Sequence, residues 1–233
     1  MRPWSDRLIT DCKEPLQPLP SEVLRLLPHP YAVLGAPYGR DADPFRLRSG
    51  VVRRLVDAQM WLQQSQPGLR FAIFDAWRPI PVQAFMVDHS IAALCRERRV
   101  DPTDAESYAQ VVADVGRFWA PPSENPATPP PHSTGAAVDL TLATMDGEPL
   151  AMGGAIDAIG ACSEPDHYAE APTPEAQLWH QRRQWLTSSM KSAGFAQHPN
   201  EWWHFSFGDQ LWAWRSGCET AIYAAVDSSS ATV

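Results

Sequence analysis

Between residues 121 and 131, six of eleven positions are proline. Such a run has few amide donors and fixed φ angles, so it cannot lie in a helix or a sheet interior. It is a stiff connection that sets the chain down at His132. Helical periodicity lies mostly before it, and strand alternation begins directly after it. The stretch it delivers, His-Ser-Thr-Gly-Ala-Ala-Val-Asp over residues 132–139, carries an imidazole and a carboxylate around a permissive glycine.

The flanking patterns supply a scaffold. Val51, Val52, Leu55, Ala58 and Leu62 recur at helical spacing, predicting a helix over residues 49–66 with Ser49 as N-cap and Pro67-Gly68 as its stop. Residues 69–77 read as a buried strand around Phe71, Ile73 and Phe74, ending in Asp75-Ala76-Trp77-Arg78-Pro79. Helices are expected over residues 82–99 and 103–119, the second opened by a capping box of Thr103 and Glu106. Residues 136–144 alternate as a strand. Asp146-Gly147 signals a hairpin, with residues 148–152 returning. Residues 153–173 are too long for a plain connection, which marks them as a functional loop. Thr173 and Pro174 open a fourth helix that Gly194 closes. Residues 195–198 and 202–207 read as strands. At the start, residues 31–38 read as a strand, and the Pro-rich residues 1–30 as an extended arm with one helical turn over 21–27. Residues 227–233 read as a disordered tail.

Charge narrows the partners. A net charge of −8 over 233 residues gives no basic footprint for nucleic acid and is repelled by anionic membranes. Neither is expected, and a small molecule or peptide is the better substrate. No window approaches a membrane span. Residues 1–10 carry Arg2, Asp6 and Arg7 and lack the apolar core of a leader, so the expectation is a cytoplasmic protein. Cys12, Cys95, Cys162 and Cys218 are scattered, with no CxxC pair, and read as free thiols.

The chemistry points to a metal. A catalytic zinc takes three protein ligands and keeps one open position. His132, Asp139 and His204 supply such a set. Two neutral imidazoles and one carboxylate leave a site charge near +1, which favours ionisation of water at the metal. Glu201 is the spare carboxylate that can take the proton. Residues three apart on a flat strand face opposite sides, so Glu201 and His204 share a site only if the chain turns at residues 199–201. His167, His180 and His198 are alternative ligands by pattern alone. Ser133 and Thr134 offer hydroxyls, but no GxSxG elbow surrounds them.

Three of these motifs together resemble one family. Residues 132–139 resemble the SxHxxGxAxD element of the VanX-type zinc D-alanyl-D-alanine dipeptidases. Glu201-Trp-Trp-His204 resembles their ExWH element, and Asp75-Ala-Trp-Arg78-Pro79 is similar to DGYRP. The resemblance spans roughly residues 30–215. It implies the hedgehog/DD-peptidase fold: an α+β domain whose antiparallel sheet carries the zinc, with helices packed around it. It divides the chain into an arm (1–30), a catalytic domain (31–215) and a tail (216–233). It further implies one zinc per chain on His132, Asp139 and His204, with Glu201 as base and Arg78 stabilising the oxyanion. Tyr31 and Asp157 would receive the ammonium group of a D,D-dipeptide. The implied reaction is attack of metal-activated water on D-Ala-D-Ala or a related small D,D-dipeptide. The alternatives are a carboxypeptidase acting on peptidoglycan stem peptides and a non-catalytic zinc-binding module. One departure bears on specificity: Pro130 stands where the family often has a substrate-contacting Ser.

Overall fold

The computed structural model describes residues 2–39 and 43–226. Three short strands come first: β1 (Leu8–Ile9), β2 (Leu16–Pro18) and β3 (Leu24–Arg25). They are followed by α1 (Pro30–Val33), β4 (Arg46–Arg48), α2 (Ser49–Ser65), β5 (Leu69–Asp75), α3 (Ile80–Arg98) and α4 (Ala105–Val115). After the proline run come β6 (Ala137–Thr144), α5 (Pro174–Ser192), β7 (Ala196–Gln197), β8 (His204–Ser206), α6 (Gln210–Arg215) and β9 (Thr220–Ala221).

The central sheet has the order β3-β5-β6-β8-β7. Only the β3–β5 pair is parallel, so the α+β, mainly antiparallel expectation holds. Side chains alternate across β5. Phe71 and Ile73 enter a core with Val138, Leu140, Leu142 and Phe205, covered by Val51, Leu55 and Leu62 of α2 and Leu186 and Met190 of α5. Phe74, out of phase with them, packs against a second core of Val82, Met86, Leu94, Val111 and Val115 from α3 and α4. Burying each such side chain contributes about 1.5–3 kcal/mol, so β5 is held by helices through both faces.

The start of α2 is capped from a distance. Its N-cap residue, Arg48, makes no side-chain cap bond. The Glu14 carboxylate does so instead, accepting from Gly50 N at 2.6 Å and Ser49 Oγ at 3.1 Å. Tyr223 OH donates to the same oxygen at 2.9 Å. A negative charge on the free amides of a helix N-terminus is favourable.

Several expectations are corrected. Residues 30–33 form helix α1, not a strand: Pro30 fits the first helical turn and the His29 ring accepts from Ala32 N. Residues 24–25 are strand β3, because they fill the open edge of β5. Asp104, not Thr103, caps α4, accepting from Glu106 N and Ser107 N. Thr103 is turned back to Asp101. The hairpin return makes one bridge, Ala143 with Pro149. The described part of residues 1–30 is built into the body, since β1 pairs with β9 and β2 with β4. The tail expected over residues 227–233 lies outside the described residues. No helix among the described residues is long and apolar enough to cross a membrane.

Candidate metal centre and active site

Strand register assembles the site. Asp75 pairs with Asp139 across β5 and β6, and Asp139 with His204 across β6 and β8. A register shift between Ile73 and Asp75 makes the first match possible. Three polar residues thus stand in a row across three strands. His132 arrives from a 3-10 turn, Pro131–Thr134, at the foot of the proline run. Gly135 ends that turn at φ 70°, and a Cβ there would strike the Leu16 side chain. The close approach and the positive φ both demand glycine.

The ligand atoms of His132, Asp139 and His204 all lie within 4.8 Å of one another. No other such group of three occurs among the described residues. His132 Nδ1 sits 2.7 Å from the Ala76 carbonyl oxygen, which can only accept, so that nitrogen carries the proton. Nε2 then presents a lone pair to His204 Nδ1 at 3.2 Å and to Asp139 Oδ2 at 3.2 Å. His204 Nδ1 is 3.0 Å from Asp139 Oδ1, and its Nε2 can place its proton on Ser206 Oγ at 3.3 Å. In that state two imidazole lone pairs and a carboxylate converge, and a cation is what such a set accommodates. All three residues are buried. Burial alone would raise the Asp139 pKa, but His132 and His204 outweigh it and hold the carboxylate well below its ordinary range.

Glu201 joins them because it is not in a strand. The chain turns through residues 199–203 before β8 begins at His204. Glu201 Oε2 lies 3.6 Å from His204 Nδ1, and Oε1 lies 3.4 Å from His198 Nδ1. Burial, and then repulsion from Asp139, push its pKa well above that of a free carboxylate, with Arg2 opposing.

Arg78 is buried, and both its Nε (3.0 Å) and Nη2 (2.7 Å) donate to Asp75 Oδ2. Nη1 donates to Gln83 Oε1 at 2.8 Å, and Nη2 also approaches Tyr31 OH at 3.3 Å and Asp139 Oδ2 at 3.4 Å. A guanidinium has five N–H donors. One hydrogen of Nη1 therefore has no protein acceptor among the described residues. Asp75 is fully buried, yet Arg78, then His29 and His132, overcome that burial and lower its pKa to about 2. Its other oxygen, Oδ1, takes His29 Nε2 at 3.1 Å and Tyr38 OH at 3.0 Å.

Asp157 accepts from Tyr31 OH at 2.8 Å. Burial, then Asp139, raise its pKa to about 7, against the pull of Arg78 and Tyr31. Its loop is tied down by Arg183 of α5, which donates to the carbonyls of Met152, Cys162 and Glu164 at 2.8–2.9 Å. All seven residues singled out in the sequence thus gather in one place. His167 and His180 do not join them, and His198 comes to Glu201 rather than to the metal set.

His29, Tyr38, Gln83, Trp119 and Arg2 also border or brace the site. Trp119 is buried, and the Arg78 guanidinium lies over its ring at 4.9 Å. Nothing local marks these residues. Their roles exist only through contacts across long sequence separations.

A family model described as D-ala-D-ala dipeptidase, of the M15 peptidases, matches residues 25–222. The chain belongs to that family. A D-alanyl-D-alanine dipeptidase of Synechocystis sp. is 44% identical over 92% of this chain and 90% of its own length. One from Escherichia coli is 30% identical over 59% of this chain and 55% of its own. Among solved structures, a vancomycin-resistance D,D-pentapeptidase crystallised with Zn(II) matches at 15% identity, with a TM-score of 0.47, covering 93% of this chain and 97% of that one. Within the dipeptidase family, then, this member brings His132, Asp139 and His204, a set that could hold a metal, together with Glu201 and the buried Arg78 in one chamber.

Proposed function

We propose that this protein hydrolyses the peptide bond of D-Ala-D-Ala or a related small D,D-dipeptide, with one zinc ion on His132, Asp139 and His204. The observation that carries the reading is the convergence of those three side chains beside Glu201 and Arg78 in a buried chamber. Zinc bound there supplies Lewis acidity, which acidifies water and polarises a carbonyl.

The chain's own residues supply the rest. Glu201, with its raised pKa, is suited to take a proton from the attacking water and return it to the departing amine. Arg78 is held rigid by Asp75 and Gln83, and its remaining Nη1 hydrogen is available to an oxyanion. Asp157, steadied by Tyr31, offers a carboxylate to the substrate's ammonium group.

The two alternatives have less support. Against a stem-peptide carboxypeptidase stand the matching family model and the 44%-identical Synechocystis relative, both described as D-alanyl-D-alanine dipeptidases. A non-catalytic zinc module needs neither a buried Glu201 nor a buried Arg78. The test is a panel of D,D-, L,D- and L,L-dipeptides and a stem pentapeptide, assayed with zinc-loaded protein, with a chelator, and with Glu201→Ala. Cleavage of D-Ala-D-Ala, lost with chelator and with Glu201→Ala while zinc content stays at one per chain, is expected. Full activity of Glu201→Ala, or preference for the pentapeptide, would sink the proposal.

A further inference from the structure

The second residue of the chain lies inside the active site. Arg2 lines the chamber together with Arg78, Asp157, Glu201 and the ligand triad. It also lines a larger cleft next door, of about 620 Å3, which shares Ala120 and Pro131 with the chamber. Arg2 therefore stands on the partition between them. The segment that brings it there is anchored: Trp4 is buried, with its ring 5.4 Å edge-on from His198 and 5.5 Å from Trp214. Gln210 Nε2 donates to the Arg7 carbonyl at 2.6 Å, and β1 follows.

Arg2 has only neutral partners: its guanidinium lies over the Trp4 ring, 5.4 Å from the centroid, and its hydrogen bonds are long. Nη2 donates weakly to the carbonyls of Gly116 (3.4 Å) and Phe118 (3.3 Å), and Nη1 to His198 Nε2 at 3.3 Å. Nε is closed off from solvent and meets no acceptor. No carboxylate lies within ion-pair distance of it among the described residues, although Glu201 is near enough to influence its charge. The other arginine of the chamber, Arg78, is already committed to Asp75.

Asp157 and Arg2 both line the chamber, and Arg2 stands where it meets the cleft, so a substrate with its ammonium group at Asp157 can run with its far end toward Arg2. That far end is a free carboxylate. Pro130, which lines the cleft, has no amide hydrogen and no side-chain donor to offer it. Resting on the dipeptidase reading above, we infer that Arg2 is the specificity-determining residue for the substrate's terminal carboxylate, reaching into the site from the N-terminal segment. The two ends of a zwitterionic dipeptide then meet opposite charges, Asp157 within and Arg2 at the exit. A peptide whose chain continued past that point would place a neutral amide against a guanidinium that has no carboxylate partner among the described residues.

A competing role is visible in the same contacts. Arg2 donates to His198 Nε2, and the other face of that ring turns Nδ1 to the Asn200 amide and to Glu201, so Arg2 also braces the ring beside the base. If that were its main task, its loss would act on turnover. The deciding experiment compares D-Ala-D-Ala with its C-terminal amide on the zinc-loaded full-length protein, tagged only at the C-terminus, for wild type, Arg2→Met and Arg2→Lys. Removing a hydrogen-bonded charge partner should raise KM for the acid about 10- to 100-fold in Arg2→Met, with kcat within about threefold. KM for the amide should not move, and Arg2→Lys should recover part of the loss. Unchanged KM for the acid, an equal rise for acid and amide, or a loss confined to kcat each overturns the inference. If wild type cleaves neither compound, the dipeptidase reading fails by itself. Calorimetric binding of acid and amide to wild type and Arg2→Met then decides the role of Arg2. Weaker binding of the acid alone in the variant supports it, and any other pattern, including no binding, overturns it.

Discussion

Replacing Arg78 by Met tests how far structure and chemistry share one group. The change removes both donations to Asp75 Oδ2 and the bonds to Gln83 and Tyr31 while keeping an apolar stem. Asp75 is fully buried, and breaking a buried ion pair from one side costs about 3–5 kcal/mol. His29 and Tyr38 still hold its other oxygen, which places the cost at the lower end, about 3 kcal/mol. For a chain of this length that is a fall in Tm of roughly 6–12 °C. Catalysis should suffer separately, because losing an oxyanion donor lowers kcat by about 10²–10³-fold. Calorimetry and steady-state kinetics on zinc-loaded Arg78→Met, Asp75→Asn and the double variant separate the two effects. The double variant has no stranded charge, so its Tm loss should be smaller than the sum of the singles, with a coupling on the order of 2 kcal/mol. Its kcat should stay as low as that of Arg78→Met. Additive Tm losses would refute the ion-pair account, and a kcat near wild type in Arg78→Met would refute the oxyanion role.

Three further outcomes follow from the same contacts. Asp157→Asn should raise KM for D-Ala-D-Ala about 10-fold or more and leave an N-acetylated analogue unaffected, since it removes the charge offered to the ammonium group. Equal effects on both substrates would show that Asp157 does not read that end. Glu14→Gln should lower Tm at pH 7, and the gap to wild type should close as pH falls. Although burial opposes the shift, its bonds to Gly50, Tyr223 and Ser49 depress the Glu14 pKa when folded. Its contribution is therefore present above the unfolded-state pKa and lost as pH falls through the folded one; a gap constant between pH 7 and 3 would count against the distal cap. Gly135→Ala should cost about 2–4 kcal/mol from the left-handed backbone and the contact with Leu16, and should weaken zinc binding by shifting His132, measured by Tm and metal titration. Native Tm and zinc affinity would mean that the turn relaxes freely.

Much of this protein was determined by local sequence. The periodicity of residues 49–66, the Pro67-Gly68 stop and the alternation of residues 136–144 each specify an element through its own backbone and its own buried face. The three motifs carry the triad, Glu201 and Arg78, because ligand chemistry needs particular residue types at particular places. Tertiary structure decided what local chemistry leaves open. Tyr31-Ala-Val is apolar enough for strand or helix, and Pro30 together with the His29 ring settles it as helix. Residues 24–25 become a strand only because β5 has an edge to fill. Glu201 and His204 share a site because the chain turns before β8, and Asp75 meets Asp139 through a register shift that no alternation pattern encodes. His29, Tyr38 and Arg2 sit 46, 37 and 196 positions from the residues they touch. Contacts at such separations depend on how whole elements pack, so they leave no local trace in the residues themselves.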